Sequence, residues 1–398
     1  MTGAAPAVFS TVRENHFDPP AATRTAREHA PLTRVAFADG HLGWLVTADA
    51  TARAVLSDPR FGTRGGPEHP AVPRATVLAD PPAAPAGTPA PPGGPGHRRY
   101  RELLAGQFTD RRLRLLTEWT RKAAEERLDV MERAGSPADL FEHFALPVSS
   151  LVLCELLGVP HADRERFRHD AAVWSGHGAS TEEVTAAFAD LGAYLHGLVL
   201  RKRAVPGDDV LSGLVHGGDG LTDEELTSLA LLLLLAGLET TAGQLALGVL
   251  ALLRHPAQLA ALRADPSLTE GAVEELLRYV SVVHHGPTRV ALEDAGIGGV
   301  PVRKGEVVMV SLPAANRDPA RYADPDALDV TRHAAGHLAF GHGVHRCLGR
   351  QLARVELRAG IDAVLRRFPG LRLAVPADAI PPRHDTQVYG VQRMPVAW

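Results

Sequence analysis

The segment that most limits what this chain can fold into runs from Thr222 to Pro256, TDEELTSLALLLLLAGLETTAGQLALGVLALLRHP. Thr222 and Glu225 make a Thr-x-x-Glu capping box that marks a helix start, and Pro256 marks its end. At 1.5 Å per residue this helix is roughly 45 Å long, the full width of a domain. It is apolar on nearly every face, so it belongs in the middle of the protein with other elements wrapped around it. Its longest unbroken apolar run, Leu229 to Leu238, is too short to cross ~30 Å of hydrocarbon, and Glu239 ends it. No membrane association is expected from it.

The rest of the chain is suited to that wrapping. Of its 398 residues, 45% are hydrophobic, enough for a large core. From His97 to about Arg254 the pattern is mostly helical; LRLLTEWTRKAAEERLDVMER has its apolar positions at helical spacing. HLGWLVTADATARAVL reads as a strand followed by a helix. TRVAL and GIGGVPVRKGEVVMVSL read as strands with a hairpin turning at glycine. An irregular stretch, NRDPARYADPDALDVTR, precedes a last helix, CLGRQLARVELRAGIDAVLRRFP. The class is therefore mainly α with a minor β part, organised as one domain over 1–398. Residues 81–96, PPAAPAGTPAPPGGPG, hold seven prolines and four glycines, which suits neither a helix nor an inner strand. They read as an inserted loop.

Lys and Arg total 42 and Asp and Glu total 46, a formal charge of −4, so no electrostatic footprint for nucleic acid is present. The opening residues lack the basic-then-apolar pattern of a signal peptide. Two cysteines do not make a disulfide framework, and the chain reads as cytoplasmic. Cys154 sits in the apolar run SSLVLCELLG and reads as a small buried hydrophobe.

Cys347 is different. It lies in FGHGVHRCLG, where three glycines in ten residues let a backbone approach something closely. It stands just before an amphipathic helix, whose positive end favours thiolate. Three readings fit these residues. Zinc would require three more ligands, and His337, His342 and His345 are near but not at finger spacing. Haem iron requires one axial thiolate and a flat, glycine-lined approach. The third reading is an inert, buried cysteine.

The loop resembles the haem-binding loop of the cytochrome P450 family, Phe-x-x-Gly-x-x-x-Cys-x-Gly, with Phe340, Gly343, Cys347 and Gly349 at its fixed places and Gly341 beside them. Companions are present. Glu275-Leu-Leu-Arg278 resembles the family's Glu-x-x-Arg, whose third member maps to Arg332; the resemblance implies a structural triad. Ala236-Gly-Leu-Glu-Thr resembles the motif over the distal haem face and implies a proton relay through Glu239 and Thr240. Taken alone, Thr240 bonding back to the carbonyl four residues earlier is the plainer reading. His97, Arg101, Arg289 and His345 resemble the partners of the haem propionates. One departure stands out: the family's Asp-Pro-Pro-Glu-His-Thr-Arg is split here, with Asp80-Pro-Pro separated from His97 by the inserted loop.

The fold so implied is the cytochrome P450 fold, its long central helix lying over a buried haem b. The implied activity is insertion of one oxygen atom from dioxygen into a small apolar molecule in secondary metabolism. A peroxide-driven peroxygenase and a non-catalytic haem-binding docking or sensor protein are the alternatives. No flavin or nicotinamide fingerprint is present, so electrons are expected from a ferredoxin and its reductase. Arg111, Arg112, Arg114, Arg346 and Arg350 are the candidate docking charges. Family pocket positions map to Leu232, Leu235, Ala236, Val283, His284, His285, Pro287, Gln387 and Val388. They do not identify the substrate.

Overall fold

The computed structural model describes residues 7–30, 32–37, 40–63, 95–174, 180–217, 220–284, 286–383 and 388–398. Most of the inserted loop, His285 and Gln387 lie outside the described residues. The last two residues predicted for that loop do not belong to it, because a helix already begins at Pro95. Proline fits a first helical turn, where its missing N–H has no partner to lose.

The chain divides into two compact units: residues 1–83, 250–347 and 382–390, and residues 84–249, 348–381 and 391–398. The first is built on a six-stranded sheet ordered Ala7–Val8, Leu32–Ala36, Leu42–Val46, Val307–Val310, Thr288–Ala291 and Phe61–Gly62. Leu32–Ala36 and Leu42–Val46 pair antiparallel with Arg34 opposite Trp44, and Trp44 then faces Val308 in a parallel pair. Val46, Val55, Leu56, Phe61, Val308, Val310 and Leu338 form one buried cluster beneath this sheet. The glycine hairpin is Ala295–Ile297 with Val300–Val302; Gly298 and Gly299 turn it at φ +55° and +83°. Positive φ at both central residues is what a two-residue hairpin turn demands.

The second unit is helical. Its members include Pro95–Ala105, Asp110–Ala134, Leu146–Leu157, Arg164–Trp174, Thr181–Ala204 and Arg350–Arg367. Asp223–Arg254 is the long helix, and the expected box closes its start: Glu225 accepts from Thr222 N at 2.8 Å and donates its own N–H to the Thr222 hydroxyl at 3.2 Å. Two glycines allow helices to close in. A Cβ on Gly237 would meet Leu153 at 2.9 Å, and one on Gly360 would meet Leu245 at 2.9 Å. Arg367 joins the C-terminal helix to Asp110–Ala134 through Glu125, Asp129 and Glu132. The long helix is long and apolar enough to cross a membrane, but half of its most apolar stretch is buried inside the fold. From Thr241 to Leu252 every residue is buried, which is how a core helix of this composition behaves.

Candidate functional site

The cysteine loop is supported by a chain of buried polar contacts inside the first unit. Glu275 and Arg278 lie one helical turn apart on Thr269–Val280, both with fully buried side chains. Arg278 Nε and Nη2 donate to the two Glu275 oxygens at 2.7 and 2.8 Å. Arg332 Nε donates to Glu275 Oε1 at 3.2 Å, and the Asp329 N–H reaches the same oxygen at 3.0 Å. The remaining Arg278 donors go to the carbonyls of Asn316, Pro325 and Ala327. Two charges with no exposure are tolerable only when paired and fully hydrogen-bonded, and this pair is both. The irregular stretch is thereby held by one side-chain fork.

From there the support reaches the loop. Asn316 Oδ1 accepts from Leu338 N at 2.6 Å, and its amide donates to Ser281 Oγ at 2.7 Å. His337, buried, lies 3.4 Å from Glu274 and accepts from Ala339 N at 3.1 Å. Phe340 carbonyl accepts the Cys347 N–H at 2.8 Å, closing the loop on itself. Gly343 has φ +69°, and a Cβ there would stand 2.3 Å from Leu56 O. Only glycine lets the loop lie this close to Asp49–Ser57. Arg53 of that helix bonds Asp49 twice and lies 3.5 Å from His342 Nδ1. Burial, followed by Arg53 and Arg346, holds the His342 imidazole below its ordinary pKa, so it is neutral near pH 7.

The two cysteines separate as their surroundings dictate. Cys154 is fully buried, and burial pushes its thiol up to about 12. Cys347 is exposed at the edge of a braced loop. Gly341, at φ +68°, and Gly349 both face open space where a Cβ would be. A flat group can therefore come close to this backbone.

Arg289 lies in the same unit on Thr288–Ala291 and is 4% exposed. Its one hydrogen bond runs from Nη1 to the carbonyl of Thr288, and no carboxylate is paired with it among the described residues. Desolvation lowers its pKa, the mark of a cation whose charge is not neutralised by the fold itself. An exposed thiol and a buried, unpaired guanidinium fit a group that joins a metal to anionic arms, and haem with its propionates is such a group. Among the described residues no cluster of three His, Cys, Asp or Glu could hold a metal ion, so zinc finds no further ligands there.

In the second unit, His97 and Arg101 stand half-buried one turn apart on Pro95–Ala105. That helix is tied to the long one by a contact the sequence did not announce. Tyr100 OH donates to Glu225 Oε1 at 2.5 Å, sharing the carboxylate that closes the capping box. Midway along the long helix, Leu232 is 47% exposed, Ala236 is exposed, and Glu239 and Thr240 are half-buried. Leu232, Ala236 and Thr240 are spaced by four and share one face. Leu235 is buried instead. The Thr240 hydroxyl donates to Ala236 O at 2.7 Å, so the plain reading of that residue holds for its proton.

Of the other pocket positions, Val283 bridges Val388, and Pro287 accepts the Val310 N–H at 3.1 Å. His284 is buried, its ring 5.2 Å from that of Tyr389, which in turn carries Arg13 at 4.0 Å on its face. Two expected docking charges are engaged within the fold. Arg111 bonds both Asp208 oxygens, and Arg112 donates to the carbonyls of Gln107 and Asp209. Arg114 is exposed.

Comparison with known proteins identifies the family. The Cytochrome P450 family profile matches residues 208–395. Cytochrome P450 105C1 of a Streptomyces species is 63% identical over the whole of both chains. Pentalenic acid synthase of Streptomyces avermitilis is 43% identical, covering 99% of this chain and 98% of its own. The crystal structure of cytochrome P450 MoxA from Nonomuraea recticatena superposes with a TM-score of 0.91 at 41% identity, covering 99% of this chain and 98% of that one. A braced cysteine loop, a buried arginine with no carboxylate partner among the described residues and full-length likeness to these proteins lead to one assignment: the chain belongs to the cytochrome P450 family and is a haem b monooxygenase of the actinobacterial type.

Proposed function

We propose that Cys347, as thiolate, is the axial ligand of the haem iron, with Phe340, Gly341 and Gly349 shaping the loop that presents it. Arg289 and His345, with His97 and Arg101, take the propionates. Glu275, Arg278 and Arg332 brace the loop without touching the cofactor. The observation that carries this reading is the exposed Cys347 on a loop fixed from both sides, by Phe340 O and by Gly343 against Leu56. A thiolate ligand must keep its position while remaining open to the metal.

When bound, haem supplies the oxygen chemistry; the protein supplies thiolate, protons and a shaped, dry pocket. Glu239 gathers protons from solvent, and Thr240 positions the water that delivers them. The Thr240 proton is committed to Ala236 O, so its oxygen lone pairs remain to accept from that water. Leu232, Leu235, Ala236, Val283 and Val388 line the substrate side with apolar surface, joined by Pro287, His284, His285 and Gln387. His284 acts there through its ring, since it packs on Tyr389.

Electrons come from a ferredoxin and its reductase in the cytoplasm. The substrate is a small, largely apolar molecule of secondary metabolism, oxidised by hydroxylation or epoxidation. Turnover with NADPH, ferredoxin reductase and ferredoxin, set against peroxide alone, tests this. Product formed only with the electron-transfer chain supports the monooxygenase cycle. Equal rates with peroxide alone identify a peroxygenase, and no product from any candidate ligand that perturbs the haem spectrum identifies a binding protein.

A further inference from the structure

A cavity of about 270 Å³ opens in the second unit, away from every residue assigned above. Val130 and Leu151 line it together with four arginines, Arg127, Arg133, Arg164 and Arg168. Three carboxylates share the lining, Glu126, Asp129 and Glu165. The charges do not simply cancel. Each carboxylate already has a cation: Glu165 holds Arg168 at 2.7 Å, Asp129 holds Arg367 at 2.7 Å, and Glu126 faces Lys122 at 3.9 Å. Arg164 is paired with Glu155 at 2.7 Å and stacks over Trp119.

Arg127 and Arg133 are left over. Arg127 is half-buried, and its one bond is a long one, 3.4 Å from Nε to His143 O. Its two terminal nitrogens make no contact with an acceptor among the described residues. Arg133, in the last turn of Asp110–Ala134, has no ion pair or hydrogen bond among them. Burial lowers the Arg127 pKa; Arg168 and Arg133 add to that by repulsion, and Glu165 and Glu126 offset part of it without a hydrogen bond to Arg127. Guanidinium groups gathered at a concave surface are stabilised by an oxyanion that each can fork onto.

We propose that this cavity is a binding site for a small phosphate-type oxyanion, held by Arg127 and Arg133 with Arg168 adding charge. The volume is below that of a drug-sized pocket and suits inorganic phosphate or a short phosphate-bearing metabolite. A tetrahedral dianion offers oxygens to both guanidinium groups and carries twice the charge of a single carboxylate. Because Arg127 and Arg133 lie on one helix and Arg168 on Arg164–Trp174, the bound anion clasps two helices and stabilises the folded chain in proportion to its occupancy.

The test uses the haem-loaded full chain and inorganic phosphate as probe, against chloride at matched ionic strength. Calorimetric titration and the thermal midpoint are read together. One saturable site is expected, with a midpoint that rises with phosphate. Arg127→Gln and Arg133→Gln should each weaken binding about tenfold or more, since each removes a charge-assisted contact. Arg121→Gln, an exposed arginine on the same helix outside the cavity, should change it less than about twofold. Arg133 is exposed, so its variant keeps the test valid even if Arg127→Gln is poorly folded. A sugar phosphate binding at least as tightly as phosphate would identify the metabolite as source. Absence of saturable binding, or equal losses in Arg121→Gln and Arg133→Gln, overturns the proposal.

Discussion

The support of the cysteine loop and the middle of the long helix solve opposite problems. Behind the loop, Glu275, Arg278, Asn316 and Leu338 are joined in one hydrogen-bonded chain that also takes in Arg332, Asp329 and Ser281. On the helix, the apolar side chains of Leu232 and Ala236 are exposed, and the Thr240 hydroxyl turns back on its own backbone. The first region is over-determined, which is what an axial ligand requires. The second carries few constraints of its own, which suits a surface that must fit an apolar guest and pass protons beside it. The difference teaches that motif residues of equal sequence clarity can serve rigidity in one place and accommodation in another.

The sharpest way to break the comparison is at the braced side. Arg278→Ala leaves the buried Glu275 with only Arg332 and the Asp329 N–H on one of its oxygens, and frees three carbonyls. Loss of one partner of a buried pair costs about 3–5 kcal/mol, a large part of a domain's stability. Denaturant unfolding should show that loss together with poor haem retention. A variant that unfolds like the parent would mean the fork is not what holds residues 316–332.

On the accommodating side, the cost should fall on turnover and leave folding alone. Glu239→Gln should slow product formation about 10²-fold, the lower end for a positioned acid or base, with an unchanged unfolding midpoint. Thr240→Ala should consume NADPH at nearly the parent rate while more of it appears as hydrogen peroxide. Thr241→Ala is the control, since its side chain points ~100° further round the helix and is buried. Uncoupling in Thr241→Ala and not in Thr240→Ala would put the relay on the wrong face.

How much of this was legible in the sequence depends on range. The capping box at Thr222 and Glu225, the Gly298-Gly299 hairpin and the glycines of the cysteine loop are local devices, and each was visible as a pattern of neighbours. The Glu275, Arg278 and Arg332 set spans 57 residues and was reached through resemblance alone. Tyr100 on Glu225, Arg13 on Tyr389 and the engagement of Arg111 with Asp208 left no trace, because side chains that meet only in the fold follow no period.

A smaller effect probes the helical unit from inside. Glu356 is buried beside Ser149, and burial holds its carboxyl well above the ordinary range. Below about pH 4 it is protonated in both folded and unfolded chains, and its contribution to stability is complete. As pH rises, the unfolded chain releases the proton first, so stability falls until the folded value is passed. Glu356→Gln should remove that slope, with a thermal advantage over the parent that grows as pH rises above the ordinary carboxyl range. A constant difference over that rise would show that the carboxyl is ionised in place.

The central claim is that Cys347 holds the iron. Its most direct measurement is the ferrous carbon monoxide spectrum of the haem-loaded chain, taken alongside Cys347→His and Cys154→Ala. The account predicts the red-shifted Soret band of a thiolate-bound haem in the parent and in Cys154→Ala, and its loss in Cys347→His even where haem is retained. A thiolate spectrum that survives in Cys347→His, or disappears in Cys154→Ala, would contradict it.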